Sequence, residues 1–319
     1  MQKYIYLFAF GLLFLSCDKQ SKIESAVEKI PLAMKVHRFE QAFFDSKPED
    51  LAKVKAAYPD FFPVETPDAV WIEKLQNPQW RELYAEVEKK YKNFGAEQTE
   101  IEDLFKHIKY YFPTVITPQI YTAIGEMDYL NKAIYANDKL VIALELYLGK
   151  EHKFYSEFPV YLRQNFEQRQ MLPDVVSSFS YGILPAPKEK ELLSLMIVSG
   201  KELYLKDILL PDYTDAERIG YSEDQIKWCA EHEDYMWQFF VSNKLLFSTD
   251  SRLPNRFINL APFSKFYLEI DNETPGRVGQ WLGWQIVRSY MQNNEVTVPQ
   301  LLKMDAKELF EKSKYKPKK

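Results

Sequence analysis

Cysteine is scarce in this chain, since only Cys17 and Cys229 occur among its 319 residues. Two thiols cannot hold a chain of this size together, so a disulfide-rich secreted scaffold is excluded and stability must come from a hydrophobic core. Cys229 follows Trp228 in an apparent helix. There we expect a buried apolar side chain rather than a nucleophile.

Histidine is also scarce, and its spacing excludes a recognisable zinc helix. The four histidines are His37, His107, His152 and His232, and no two of them lie four residues apart. A His-Glu-x-x-His pair on one helical face is therefore absent. The sequence also has no Gly-x-Ser-x-Gly nucleophile elbow and no glycine-rich phosphate loop. We expect no metal, no cofactor and no catalytic residue, although a pair of carboxylates stays open because acidic residues are numerous.

Basic residues do not outnumber acidic ones: the chain has 41 lysines and arginines against 46 aspartates and glutamates. The formal net charge is −5, which gives no electrostatic footprint for nucleic acid. Only 10 glycines occur, against 21 tyrosines and 22 phenylalanines, and 46% of the residues are hydrophobic. This composition, with its long periodic stretches, predicts a mainly α (α+β) fold: a helix-rich single domain with a small β-sheet.

The first residues have the pattern of a bacterial lipoprotein signal. Lys3 precedes an apolar run that ends at Leu15, and Ser16 and Cys17 follow it. The run is shorter than the about 20 residues that a membrane-spanning helix needs, so it reads as a removable export segment. We expect a signal peptide over 1–16, a lipid on Cys17, a tether over 17–30 and one globular domain over 31–319. The alternative is a plain secretory signal with an incidental cysteine.

Periodicity and capping signals predict where helices and strands lie. Helices are expected over 80–94, 189–206 and 278–291, and after Thr99-x-x-Glu102, Ser222-x-x-Gln225 and Asp305-x-x-Glu308. Short segments rich in β-branched or aromatic residues predict three or four strands, at 114–116, 119–124, 133–135 and 140–144.

The most unusual segment runs from Pro275 to Met291. Gly279 and Gly283 are one helical turn apart, and two glycines inside a helix cost roughly 2 kcal/mol relative to alanine. Close packing or a bound ligand must therefore compensate. Trp281, Trp284 and Arg288 share a neighbouring face of the same helix. Two interpretations stay open: a tightly packed buried helix with Arg288 paired to an acid, or a wall that faces a ligand or partner.

Several segments together resemble the gliding-motility lipoprotein GldB family of the Bacteroidetes. The matching stretches run in order along the chain: Arg38–Phe44, Leu146–Lys150, Phe154-Tyr155, Pro159–Tyr161, Met196, Gly200–Tyr204, Leu209–Asp212, Gly220-Tyr221, Trp228-Cys229 and Pro275–Met291. The resemblance implies an envelope lipoprotein whose domain faces the periplasm. Its implied partners are the membrane, through the lipid anchor, and other components of the gliding or type IX secretion machinery.

The order of predicted elements is also similar, more distantly, to zincin-like zinc peptidases. In those proteins a small sheet is followed by a His-Glu-x-x-His helix and then by a helix that carries Glu-Gly. Here the first helix reads Asp174-Val175-Val176-Ser177-Ser178, and Ser199-Gly200 stands in the second. The resemblance therefore implies a zincin-like scaffold that lacks the metal motif, and no catalytic residue is carried over.

Three functional hypotheses follow. The first is a non-catalytic, lipid-anchored scaffold of the gliding machinery that binds partners. The second is a hydrolase that uses a peptidase-like cleft between the helices 189–206 and 278–291. The third is a carrier or sensor of a lipid or peptide ligand, with which the aromatic content is compatible.

Overall fold

The computed structural model describes residues 22–318. The predicted signal peptide over 1–16 and the predicted lipidation site Cys17 lie outside the described residues. Residues 22–27 are helical. The helices that follow, which we number α1 to α15, are Phe39–Phe44, Leu51–Ala57, Asp68–Gln76, Pro78–Tyr91, Gly95–Tyr111, Val160–Arg163, Met171–Ile183, Leu192–Leu209, Asp215–Ile219, Glu223–Glu231, Glu233–Ser242, Leu253–Phe257, Val278–Asn293, Val298–Lys303 and Ala306–Ser313.

Four short strands form one mixed sheet within residues 22–318. They are β1 (Val36–Arg38), β2 (Gln119–Ala123), β3 (Ala133–Ala136) and β4 (Lys139–Ala143), in the spatial order β1-β2-β4-β3. Strand β2 pairs parallel with β1 on one side and with β4 on the other, whereas β3 pairs antiparallel with β4. In the described part of the chain, six 3₁₀ turns connect the elements: Pro48–Asp50, Pro59–Phe61, Leu144–Leu146, Lys153–Tyr155, Gln168–Gln170 and Glu269–Glu273. The predicted helix-rich α+β fold with a small sheet is confirmed.

Some elements differ from the expectation. The segment 114–116 is a loop, and the fourth strand is β1, whose three residues are too few to show a strand pattern in the sequence. The predicted capping box at Thr99 is wrong, because α5 already begins at Gly95. The Thr99 hydroxyl donates back to the Gly95 carbonyl inside the helix, and Glu102 instead accepts the N–H of Met34.

The described part of the expected tether over 17–30 is folded. Residues 22–27 are helical, and Val27 within them is buried. Glu24 of this helix lies 3.2 Å from Nε2 of His107 on α5. The helix over residues 22–27 therefore contacts the globular body through Val27 and Glu24. No helix in the described range is both long enough and apolar enough to cross a membrane.

Two large hydrophobic cores share the long helix α8. The first contains the sheet, α1 to α5 and α7, and takes Leu205 and Leu209 from α8. The second contains the C-terminal helices and takes Leu192, Met196 and Leu203 from the same helix. Buried apolar residues of α8 point toward both cores, so the helix is packed on more than one side.

Glycines set the distance between α8 and α13. A Cβ atom on Gly283 would lie 1.9 Å from the carbonyl oxygen of Met196, and one on Gly200 would lie 2.3 Å from the carbonyl oxygen of Gly283. Both contacts are with backbone, which cannot rotate away as a side chain can. The two helices therefore touch backbone to backbone at this crossing.

Candidate functional site

A cleft of about 970 Å³ opens where the two cores meet. Its walls come from β3, α7, α8, α9 and the first turn of α13. The size lies at the upper end of the range in which small-molecule and peptide sites occur. This cleft is the candidate functional site.

The edge of strand β3 forms one wall of the cleft. Residues 131–135 all line the cleft, although successive side chains of a strand point to opposite faces of the sheet. Only an approach from the edge can touch all of them. In the described residues β3 pairs with β4 alone and is the last strand of the sheet on that side.

Helix α7 forms a second wall with a polar stripe. Asp174, Ser177, Ser178 and Tyr181 line the cleft and follow the spacing i, i+3, i+4 and i+7, while Val175, Val176 and Phe179 between them are buried. Ser178 Oγ accepts the backbone N–H of Tyr135 at 2.7 Å, which fixes the helix to the strand edge. The helix thus presents one polar face to the cleft and one apolar face to the core.

The acids on the cleft floor are each paired with a lysine. Asp174 Oδ2 accepts from Lys132 Nζ at 2.6 Å and from the Tyr147 hydroxyl at 2.9 Å. Glu202 Oε1 accepts the Ser177 hydroxyl at 2.7 Å and lies 3.4 Å from Lys206 Nζ. Burial and the neighbouring Asp174 raise the pKa of the Tyr147 hydroxyl well above its usual range, so it stays a hydrogen-bond donor. The floor is therefore charged but internally neutralised.

Arg277 is the exception among the cleft cations. It begins α13 in the left-handed conformation, with φ of 66°, which is uncommon for a residue with a Cβ atom. Its guanidinium lies 5.1 Å from the Tyr221 ring centre and donates to the Gly220 carbonyl at 3.3 Å and the Gln280 side chain at 3.5 Å. Within the described range no carboxylate forms an ion pair with it. Arg277 therefore offers an uncompensated positive charge to the cleft.

Arg218 also lines the cleft, but its charge is used within the fold. It lies 3.1 Å from Asp215 and 3.5 Å from Asp207, and it donates to the carbonyls of Leu210 and Pro211. Asp207 and Asp215 also bind Arg288 on α13. The guanidinium of Arg288 keeps the pKa of Asp215 below its usual range, against the effect of burial. The ion pairs of Arg218 and Arg288 with Asp207 and Asp215 connect α8, α9 and α13 behind the cleft.

The structure places most of the sequence-predicted site residues inside the second core. Trp284 is completely buried, Trp281 is 5% exposed, and Gly279 and Gly283 are buried beneath neighbouring backbone. Arg288 keeps partial access, with 22% of its side chain exposed. Trp284 donates its indole N–H to Asp207 at 2.9 Å. The helix face that carries these residues is therefore packed inside the protein. Among the five predicted site residues, only the Arg288 side chain is partly exposed to solvent.

The position expected for a hydrolase cleft needs a correction. The helices predicted over 189–206 and 278–291, which are α8 and α13, are in direct contact at Gly200 and Gly283 and leave no cleft between their midpoints. Phe179, Met196 and Trp281 are packed in the cores. The cleft of the structure is lined by Glu202 and Lys206 of α8 and by Gln280 in the first turn of α13, and its other walls come from β3, α7 and α9.

In the described residues, the side chains suited to metal or nucleophilic chemistry are scattered or buried. No group of three or more histidine, cysteine, aspartate or glutamate side chains could hold a metal ion in this part of the chain. Cys229 is buried, and desolvation raises the pKa of its thiol above its usual range, which disfavours the reactive thiolate.

The sequence predictions missed the cleft residues because they come from distant segments. A signal was nevertheless present on α7, where the polar residues Asp174, Ser177, Ser178 and Tyr181 recur at helical spacing within an otherwise apolar helix. A second signal was the Glu202–Lys206 pair, which is spaced i, i+4 on α8.

The comparisons with known proteins identify one family. The family model described as gliding motility protein GldB matches residues 20–317. No curated protein matches the chain, and no solved structure matches it. The zincin-like similarity expected from the order of elements is not shown by these comparisons. Because the family model covers nearly all of the sequence, the chain belongs to the gliding motility protein GldB family.

Proposed function

We propose that this gliding motility protein is a lipid-anchored component of the cell envelope, and that it acts by binding other proteins of the motility machinery through its cleft. In this proposal the lipid on Cys17 holds the protein to a membrane and the globular body faces the periplasm. Components of the type IX secretion machinery are included among the partners. Catalysis is not part of the proposal.

One observation carries the proposal that the cleft binds a partner. Each acid on the cleft floor is matched by a lysine, Asp174 by Lys132 and Glu202 by Lys206. Each pair presents hydrogen-bond donors and acceptors at fixed positions with little net charge. Such a floor suits recognition of a partner's polar groups.

The rim of the cleft supports a protein partner. Apolar side chains are unusually exposed there: Leu130 is 74% exposed, Tyr181 81%, and Ile134 and Leu260 42% each. Exposed apolar side chains that lie close together are typical of surfaces that bind other proteins.

The proposal is tested in gliding cells by a charge on the rim. Tyr181→Glu should abolish or strongly reduce gliding at an unchanged protein level, because the side chain is too exposed to support the fold. Val64→Glu is the matched control, since Val64 is 97% exposed and lies outside the cleft. Normal gliding with Tyr181→Glu would remove the cleft from the proposed function.

A further inference from the structure

The N-terminal helix, over residues 22–27, lies along α5 and runs in the opposite direction. The N–H of Met34 donates to Glu102 on α5 at 2.9 Å, whereas Glu24 lies 3.2 Å from His107, further along the same helix. Each step back toward the N-terminus therefore moves the chain toward the C-terminal end of α5. The start of the N-terminal helix and the last turn of α5 thus lie at the same end of the protein.

The proposed lipid on Cys17 is attached close to this end. Cys17 precedes Lys22, the first described residue, by five positions. A fully extended chain spans at most about 3.6 Å per residue, so this segment reaches at most about 18 Å. In the proposed function an acylated Cys17 lies at the membrane surface. That surface is then within about 18 Å of Lys22, at the end of the protein that carries the last turn of α5.

Two exposed apolar side chains are found at this end of the protein. Tyr110, in the last turn of α5, is 38% exposed, and Ile116, in the loop that follows, is 65% exposed. Lys109 Nζ donates to the Val115 carbonyl at 3.0 Å, which holds that loop against the end of the helix. A tyrosine, with its apolar ring and polar hydroxyl, is suited to the interface between lipid and water. The isoleucine on the adjoining loop adds apolar area that a lipid surface can cover.

The charge of this end also suits a lipid surface. The sequence has no acidic residue between Asp103 and Glu126, although the chain as a whole carries a net charge of −5. Lys106 pairs with Asp103 at 2.8 Å, but within residues 22–318 no carboxylate forms an ion pair with Lys109. The bond of Lys109 to Val115 uses only one of its three ammonium donors. A lysine that has no carboxylate partner is free to pair with the phosphates of a nearby membrane.

We infer that the end of α5 and the loop over 112–117 bind a lipid surface, with Tyr110 and Ile116 in the headgroup region and Lys109 on a lipid phosphate. This inference rests on the proposed function, because a patch of this size is too small to hold a protein to a membrane by itself. The lipid on Cys17 supplies the high local concentration that such a weak contact needs. The two contacts together give the globular body one fixed orientation on the membrane.

The test places a fluorescent nitrobenzoxadiazole label on single cysteines of the full-length, acylated protein, bound to vesicles of phosphatidylethanolamine and phosphatidylglycerol. Cys229 does not compete for the label, because it is buried and desolvation raises the pKa of its thiol. The proposed lipid occupies the thiol of Cys17. Labels on Ile116→Cys and Tyr110→Cys should lose most of their emission when the vesicles contain lipids with a spin label near the headgroup, because such quenching requires close approach.

Phe247→Cys is the control label, because Phe247 is 52% exposed and lies far from the N-terminal helix. The carbonyl of the preceding Leu246 accepts the N–H of Leu193, at the start of α8. Leu209, at the other end of α8, lines a small pocket together with Glu24. The 18 residues of α8 separate these two ends by about 27 Å. The label at position 247 should therefore keep its emission.

A second set of variants removes the contact itself. Ile116→Asp together with Lys109→Gln replaces an apolar side chain by a charge that anionic lipids repel, and removes the cation. The label at position 110 should then lose most of its quenching. Phe247→Asp is the matched control and should leave quenching at position 110 unchanged. Circular dichroism and thermal unfolding establish that each variant keeps its fold.

Flotation of the vesicles first establishes that the protein is bound. A floating protein whose labels at 110 and 116 keep their emission, or are quenched no more than the label at 247, would overturn the inference. Undiminished quenching at 110 in the Ile116→Asp, Lys109→Gln protein would overturn it as well. A protein that does not float contradicts the proposed anchor and the inference with it. The proposed binding of partners fails separately, by normal gliding of Tyr181→Glu cells, so the failures are distinguishable.

Discussion

Arg288 on α13 donates two parallel hydrogen bonds to Asp207 on α8, from Nε to Oδ2 at 2.8 Å and from Nη2 to Oδ1 at 2.6 Å. The same guanidinium donates to both oxygens of Asp215 at 2.7 Å and lies 3.7 Å from the ring centre of Trp284. One side chain thereby fixes the relative position of α8, α9 and α13. These three elements also form the back wall of the cleft, so the ion pair connects packing to the site.

The first prediction concerns this ion pair. Arg288→Lys keeps the charge but cannot make two bidentate contacts, so we expect the free energy of unfolding in urea to fall by about 2 kcal/mol. Arg252→Lys is the matched control, because Arg252 also grips an aspartate, Asp250, but is 78% exposed. The corresponding loss for Arg252→Lys should be much smaller, because this pair is exposed to solvent. Equal effects of the two substitutions would contradict the structural role of Arg288.

The second prediction concerns the helix crossing. Gly283→Ala would put a methyl group 1.9 Å from the Met196 carbonyl oxygen, and both helix backbones must shift to admit it. We expect a loss of about 3 kcal/mol or more in unfolding free energy, or no folded protein. Gly182→Ala in α7 is the control, because nothing lies within 4 Å of the added methyl group. Alanine favours the helix there, so that variant should gain about 0.5–1 kcal/mol. A Gly283→Ala protein as stable as the parent would show that the helices are not in backbone contact.

These glycines show how far the sequence alone leads. Gly279 and Gly283 are recognisable as positions that demand compensation, because glycine is costly inside a helix, and close packing is what the structure provides. Trp284, next to Gly283, is buried. The sequence alone could not predict this, because tryptophan and arginine on one helix face have the same spacing whether that face packs in a core or binds a partner. The tertiary contacts that distinguish the two come from α8, about 80 residues away.

The strand β3 and the cleft illustrate the opposite case. Short segments of β-branched and aromatic residues predicted a small sheet, but strand order is set by long-range pairing that no local pattern encodes. The edge position of β3, and therefore the cleft, follows from that order. Thr99 shows the same limit of local patterns in a helix. Thr99 and Glu102 have the spacing of a capping box, but α5 begins four residues earlier, at Gly95, so Thr99 lies inside the helix.

The third prediction is a pH dependence of stability that comes from Glu145. This side chain is completely buried beside the sheet, its Oε1 accepts the Gly125 N–H at 2.9 Å, and its Oε2 has no partner among the described residues. Desolvation raises the pKa of the Glu145 carboxyl from 4.5 to about 7. Between these two values the folded state binds more protons than the unfolded state, so stability falls as the pH rises.

Glu145→Gln removes this titration and measures its effect. The difference in unfolding free energy between Glu145→Gln and the parent should move in favour of the glutamine variant by about 2 kcal/mol from about pH 5 to about pH 8. Urea unfolding at both pH values measures the change. A difference that stays constant with pH would show that Glu145 titrates alike in the folded and unfolded states.

The fourth prediction concerns the proposed lipid on Cys17. Cys17→Ala should leave the protein without acyl chains and release it from membranes into the soluble fraction, because stable anchoring requires two or more chains. Fractionation of cells at high salt, followed by immunoblotting, measures the distribution. Cys229→Ala is the control for loss of a thiol, and it should remain with the membranes. Complete sedimentation of the Cys17→Ala protein with membranes would contradict the anchor.

The central claim is that the cleft is where this protein meets its partner, and photo-crosslinking in gliding cells tests it most directly. A photoreactive phenylalanine analogue at position 181 places the reactive group on the cleft rim, and the same group at position 64 provides the exposed control. We predict a covalent adduct with another motility protein from position 181 and none from position 64. Absence of any adduct from position 181, in cells that still glide, would contradict the account.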